Sequence, residues 1–241
     1  MTGVGYVLRG FGLMWRPGIR RYTLIPLLIN TLLFALGTWG ALHWARSTLD
    51  HLLPTWLDWL SWLLLPLLFI GLMLVVYFSF TLVANFLAAP FNALLAEALE
   101  RELTGQPPPS DDTPLWQLTL RTLAAEWRKL RYFIGWAIPL LLLWFIPGLN
   151  LLAPLLWFGF SAWMMALQYV DAPAGNHQLD FAAQRHWLGR IPLTSFSFGA
   201  TLTGMTMVPG LNFLSLPVGV CAATALWVEQ RPARPPLAPG R

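Results

Sequence analysis

Between Trp59 and Ala96 the chain runs for 38 residues without a charged side chain. About 20 apolar residues in a helix already cross the hydrocarbon of a bilayer, so a run of this length is more than one straight span requires. Three further runs have the same character. Leu24–Ala45 has His43 as its only ionisable group, while Tyr132–Val170 and Ile191–Val228 contain no Asp, Glu, Lys or Arg. Charged residues make up 11% of the chain and hydrophobic ones 56%, whereas soluble globular domains carry about a quarter charged. The apolar residues come as unbroken runs and not as amphipathic stripes, which predicts an all-α integral membrane protein. The net charge of +4 accompanies no dense Lys/Arg cluster on a soluble fold. It therefore points to membrane orientation, and no nucleic-acid partner is expected.

The runs predict one membrane domain over residues 1–229 with two transmembrane helices, at about 24–45 and 62–84. Pro26 falls in the first turns of the first span, where a missing N–H costs little. Trp39, Trp44, Trp56, Trp59 and Trp62 flank the first connection as interfacial anchors. Asn85, Pro90 and Asn92 suggest a bend where the second run meets Glu97, Glu100, Arg101 and Glu102. After Pro107-Pro108-Pro109, the segment Thr113–Arg131 intersperses Leu115, Leu118, Leu123 and Trp127 with Arg121, Glu126, Arg128 and Lys129, which reads as an amphipathic surface helix. The last residues, 230–241, form a Pro/Arg-rich tail that reads as disordered. Near Arg9 there is no compact apolar stretch with a small-residue cleavage site, so no cleaved leader is expected. Cys221 is the single cysteine and supports neither a disulfide framework nor a thiolate metal site.

The third and fourth runs are broken in the same way. Ile146-Pro147-Gly148-Leu149-Asn150 and Val208-Pro209-Gly210-Leu211-Asn212 lie 62 positions apart, followed by Pro154 and Pro217. This is an internal repeat, and Pro-Gly makes each run a helical hairpin, at 132–170 and 191–228. The arm Tyr132–Ile146 spans roughly 22 Å as a helix against a hydrocarbon core of about 30 Å. It is too short to cross upright, which favours re-entrant, partly penetrating hairpins whose tips are buried in protein or line water. Two ordinary tilted hairpins with tips at the far surface are the alternative on hydropathy. With both hairpins returning to their starting side, 14 of the 15 Lys and Arg residues share one side and only Arg46 faces the other. The positive-inside rule makes the crowded side, with both termini, cytoplasmic.

His43, His51, His177 and His186 fall in separate segments without metal-ligand spacing, and no phosphate loop or nucleophile elbow is present. No enzymatic activity, cofactor or metal is expected. The predicted spans also lack an acidic or basic residue for an intramembrane proton relay. The candidate anion site is Gly18, Ile19, Arg20 and Arg21, directly before the first span. A glycine turn, free N–H groups at a helix start and two guanidiniums suit a tetrahedral oxyanion, and the same arginines also fit a topology anchor. Thr194, Ser197, Thr201 and Gly204 share one helical face that either lines an aqueous path or lets helices pack closely. Asn150 and Asn212 carry the same two readings. Glu97, Arg101, Glu126 and Arg128 form a candidate ion-pair gate at the cytoplasmic mouth or, alternatively, solvated pairs on helix surfaces.

The stretches Pro17-Gly18-Ile19-Arg20-Arg21, Ile25–Asn30, Asn85–Glu97, Phe145-Ile146-Pro147-Gly148, Phe160–Met164, Asn176-His177 and Cys221–Ala225 together resemble the CysZ family of bacterial sulfate permeases, over about Gly18 to Glu229. The resemblance implies sulfate uptake across the bacterial inner membrane, proton-dependent and feeding cysteine biosynthesis, by a homo-oligomer of two spans and two partly penetrating hairpins. It also implies that the family's glycine-hydrophobic-arginine sulfate motif falls on Gly18, Ile19 and Arg20, with Arg21 beside it. Many members have leucine where this chain has Ile19. Asp171-Ala172-Pro173 lacks the aromatic residue expected between Asp and Pro, and the tail from Arg231 has no counterpart. Two alternatives stand beside sulfate uptake: a membrane scaffold or regulatory protein without transport, and a permease for another oxyanion such as selenate, thiosulfate or molybdate.

Overall fold

A computed structural model of the chain describes residues 1–52, 66–72, 74, 91–109, 115–208 and 210–231, and among them every regular element is helical. The elements are α1 (Gly3–Leu13), α2 (Arg20–Leu52), α3 (91–104), α4 (Leu115–Leu142), α5 (Ala153–Asn176), α6 (Phe181–Arg190), α7 (Pro192–Met207) and α8 (Leu211–Gln230). They form two compact units, one of Met1–Arg20 with Asn92–Arg241 and one of Arg21–Phe91.

The smaller unit is dominated by α2. Its 33 residues give a rod of about 50 Å, and the 25-residue stretch Arg20–Trp44 has a mean hydropathy of 1.7. Leu28 is 69% exposed and Trp39 68%. A helix this apolar and this bare requires lipid or protein around it. It starts earlier than the apolar run beginning at Leu24, so Pro26 lies inside the helix and removes the donor that would meet the Tyr22 carbonyl. The second expected span, 62–84, lies outside the described residues except for 66–72 and 74, which are helical.

The larger unit is built on α1, α5, α7 and α8, and small residues set how closely these approach. A Cβ on Gly199 would fall 1.7 Å from the Ala162 carbonyl oxygen of α5, and one on Gly3 would fall 2.1 Å from the Phe198 nitrogen of α7. On α8, Gly219 faces the Tyr169 ring, while Cys221, Ala222, Ala223 and Ala225 are buried. In a membrane the solvent is as apolar as the core, so close van der Waals approach does the holding. Hydroxyls in this core bond to backbone carbonyls: Thr203 donates to the Gly199 carbonyl and Thr224 to the Val220 carbonyl of their own helices, and Ser195 of α7 to the Leu188 carbonyl of α6, each at 2.8 Å. Thr2 caps α1 by accepting the Gly5 N–H, and Asp180 caps α6 by accepting the Ala183 N–H.

The two Pro-Gly breaks fold alike. In the first, Ile146 N–H donates to Leu143 O at 3.3 Å and Asn150 N–H to Ile146 O at 3.0 Å; in the second, Val208 N–H donates to Met205 O at 3.2 Å and Asn212 N–H to Val208 O at 3.1 Å. Gly148 and Gly210 take φ of +86° and +88°, a conformation glycine reaches without steric cost. Each break joins two helices, α4 to α5 and α7 to α8. The helices on either side of the second break are unequal: α7 has 16 residues, about 24 Å, and α8 has 20, about 30 Å. By length and hydropathy α8 qualifies as a full span.

One boundary differs from the sequence reading. The expected amphipathic helix ending at Arg131 and the hairpin arm starting at Tyr132 are a single helix, α4. Nothing between Arg131 and Tyr132 interrupts the backbone, and Lys129 locks this part of α4 to α5 through Asp171 at 2.6 Å. Burial works against the Lys129 ammonium, but Asp171 and Glu126 together outweigh it and hold the lysine above its ordinary range.

Gly199→Val places carbon where the Ala162 carbonyl lies and should lower the thermal unfolding midpoint in detergent by more than 10 °C or abolish folding, a clash of several kcal/mol. Gly12→Ala, with nothing within 4 Å of its new methyl, should leave the midpoint unchanged or slightly raised.

Candidate functional site

The turn before α2 is a third copy of the Pro-Gly geometry. Arg16 N–H donates to Leu13 O at 3.2 Å and Arg20 N–H to Arg16 O at 3.1 Å, and Gly18 takes φ +93°, so Arg16–Arg20 superimposes in pattern on Ile146–Asn150 and Val208–Asn212. Arg20 thus stands where the other two turns carry Asn150 and Asn212. Ile19 is buried and pegs the turn down, and Arg16 reaches Glu102 on α3 at 2.9 Å. The Ile19 and Arg20 amides both donate to the Arg16 carbonyl, so neither is a free donor. The groups left to meet an anion include the guanidiniums of Arg20 and Arg21, both exposed. Arg21 lies 4.8 Å over the Tyr22 ring and donates to its hydroxyl. Among the described residues, neither arginine has a carboxylate within ion-pair distance.

The other expected site residues do not converge on this turn. Glu97 and Arg101 pair with each other at 3.0 Å along α3, Glu126 pairs with Lys129 at 2.7 Å, and Arg128 reaches Asp180 at 3.8 Å. These are separate pairs and not one four-membered cluster. Thr194 and Ser197 lie under the start of α1, where Gly3 N–H donates to Ser197 Oγ at 3.1 Å. Thr201 bonds back to the Ser197 carbonyl at 2.8 Å. Asn150 and Asn212 are exposed at the hairpin tips, beside exposed Leu151 and Phe213.

Among the described residues, the most buried charge lies outside the expected site residues. Glu100 on α3 is 2% exposed and accepts from His177 Nε2 at 2.8 Å and from Arg231 Nη1 at 2.7 Å. His177 closes α5, Arg231 closes α8, and Asn176 donates to the Ala93 carbonyl of α3 at 2.9 Å. Three chain segments are therefore joined through one carboxylate. A signal for it exists in the sequence: Leu95, Ala96 and Leu99 mark the buried face of α3, and Glu100 falls on that face at helical spacing. Burying an acid there is affordable only with partners from distant segments.

Long bare apolar helices and glycine-tight packing define an α-helical membrane protein, with two arginines at the start of α2 that no carboxylate neutralises among the described residues. Residues 6–217 match the family described as sulfate transporter CysZ/etoposide-induced protein 2.4, and the chain belongs to that family. The match covers the Gly18–Arg21 turn and both hairpin tips. It makes the chain a membrane protein of the sulfate-transporter type.

Glu100→Ala strands His177 and Arg231 without their carboxylate and should cost about 3–5 kcal/mol, seen as a lower unfolding midpoint in detergent. Glu97→Ala removes an exposed pair on the same helix and should cost no more than about 0.5 kcal/mol.

Proposed function

We propose that this protein carries sulfate across the bacterial inner membrane, with the anion first engaged at Gly18, Ile19, Arg20 and Arg21. The observation that carries the reading is the pair of adjacent guanidiniums, without carboxylate partners among the described residues, on a Pro-Gly turn at the start of an apolar helix. Planar guanidiniums match a tetrahedral oxyanion in geometry and charge, and the positive end of the α2 dipole adds to their field. Membership of a sulfate-transporter family points to the same ion.

From that turn the ion passes partly penetrating hairpins with Asn150, Asn212 and Thr201 as polar positions, Thr194 and Ser197 sharing the last one's face. Glu97 with Arg101, Glu126 with Lys129 and Arg128 with Asp180 stand at the cytoplasmic mouth as three separate, exchangeable pairs. The bare apolar surface of α2 and the hairpin tips supports assembly as a homo-oligomer. Uptake is proton-dependent and serves cysteine biosynthesis, with both termini in the cytoplasm as the charge bias directs.

Radiolabelled sulfate uptake into proteoliposomes tests the reading, comparing wild type with Arg20→Ala/Arg21→Ala at matched reconstitution. Two charge-assisted hydrogen bonds at about 1.5 kcal/mol or more each correspond to roughly a hundredfold in affinity, so uptake at micromolar sulfate should fall to the level of empty vesicles. Equal uptake by both proteins reduces the turn to a topology anchor. No uptake by either favours a scaffold, and competition by selenate, thiosulfate or molybdate reports the selectivity among oxyanions.

A further inference from the structure

Away from the Gly18 turn, a second group of arginines lines an open, solvent-facing cavity. Arg128, Arg131 and Tyr132 on α4 and Phe181, Ala182 and Arg185 on α6 line a space of about 450 Å³. Residues one helical turn apart on each helix face it, so both helices present one edge to the same volume. Its aromatic floor is fixed from several sides: Tyr132 meets the Phe181 ring edge-on at 5.5 Å, accepts the Trp163 indole N–H at 3.0 Å and carries the Arg185 guanidinium at 5.1 Å from its centroid.

The charge there is not balanced. Arg128 reaches Asp180 only at 3.8 Å, and Lys129 is occupied elsewhere by Glu126 and Asp171. Among the described residues, no carboxylate lies within ion-pair distance of Arg131 or Arg185. With Arg128 paired to Asp180, the guanidiniums of Arg131 and Arg185 are left to attract an anion into this space. The adjoining stripe of α4 is apolar and open to its surroundings, with Trp127, Leu130 and Ile134 all exposed. A basic pocket bordered by bare apolar surface is the arrangement that holds a lipid headgroup, its phosphate on the arginines and its chains along the stripe.

We propose that the α4/α6 cavity is an oxyanion site for a tetrahedral phosphate or sulfate group, filled in the membrane by the phosphate of an anionic phospholipid. It is separate from the Gly18–Arg21 turn and does not depend on that turn's function. The lipid fastens the basic half of α4 at the membrane surface.

The full-length protein, reconstituted in nanodiscs of mixed phosphatidylglycerol and phosphatidylcholine and then released into detergent, is read by native mass spectrometry. Wild type should retain phosphatidylglycerol. Arg131→Ala/Arg185→Ala should retain at least fivefold less, and Arg20→Ala/Arg21→Ala should match wild type. Arg131→Gln and Ala182→Glu provide variants at exposed positions that change the cavity's charge with little risk to folding, and Ala182→Glu should also displace the lipid. In phosphatidylcholine-only nanodiscs, equilibrium binding of radiolabelled sulfate distinguishes the source. A sulfate stoichiometry that falls with the cavity variants, while lipid retention does not, supports the oxyanion site with a free ion as its ligand. Unchanged lipid retention and unchanged sulfate stoichiometry in all cavity variants, with normal gel-filtration profiles, overturn the proposal.

Discussion

The crossing of α7 over α5 at Gly199 leaves no room for even one methyl group between the helix and the Ala162 carbonyl. The larger unit depends on this approach and on its relatives at Gly3, Gly10 and Gly219. A water-soluble bundle can rely on expelling solvent from apolar faces, but lipid is no worse a neighbour for leucine than another leucine. What remains is contact density, which glycine, alanine and serine raise by letting backbones meet. The same scarcity of alternatives governs the hydroxyls of Thr201, Thr203 and Thr224, which bond to carbonyls of their own helices, and of Ser195, which bonds to a carbonyl of α6.

Charge is arranged around that packing in two distinct ways. Among the described residues the carboxylates are paired, as Glu229 is with Arg9 and Tyr6, Asp171 with Lys129, Glu102 with Arg16, and Glu100 with His177 and Arg231. These contacts tie segment ends together, and the burial of Glu100 makes that tie the most demanding of them. Arg20, Arg21, Arg131 and Arg185 stand apart, with no acid at hand among the described residues. A guanidinium keeps its charge at any physiological pH, so an unpaired one attracts whatever anion its surroundings supply. The two arginine groups differ in what borders them. Arg20 and Arg21 sit on a rigid turn at a helix start, and Arg131 and Arg185 face a cavity with an aromatic floor and an apolar margin.

The Pro-Gly turn recurs three times with one hydrogen-bonding pattern. Two copies were plain in the sequence because Ile146–Leu152 and Val208–Leu214 share five identical residues in register. The copy at Arg16–Arg20 was not, because it keeps only Pro-Gly and one apolar residue and replaces asparagine with arginine. Backbone geometry, with a positive φ at Gly18, Gly148 and Gly210, reveals what side-chain identity obscured. The site was therefore half legible: the arginines and the glycine could be singled out by type and position, but not that the Ile19 and Arg20 amides are already bonded.

The uncharged runs by themselves determined that the chain is helical and lives in a membrane, since length and the absence of charge leave no other way to satisfy the backbone. They also determined where the hairpins break, because proline and glycine act locally. Tertiary structure alone decided the rest. That α4 continues through Arg131 into the hairpin arm, that Ser197 lies under Gly3, and that Glu100 meets His177 and Arg231 from segments 77 and 131 positions away all follow from helix packing. Contacts between distant segments are set by which helix faces meet, and one-dimensional spacing along the chain carries no record of that choice.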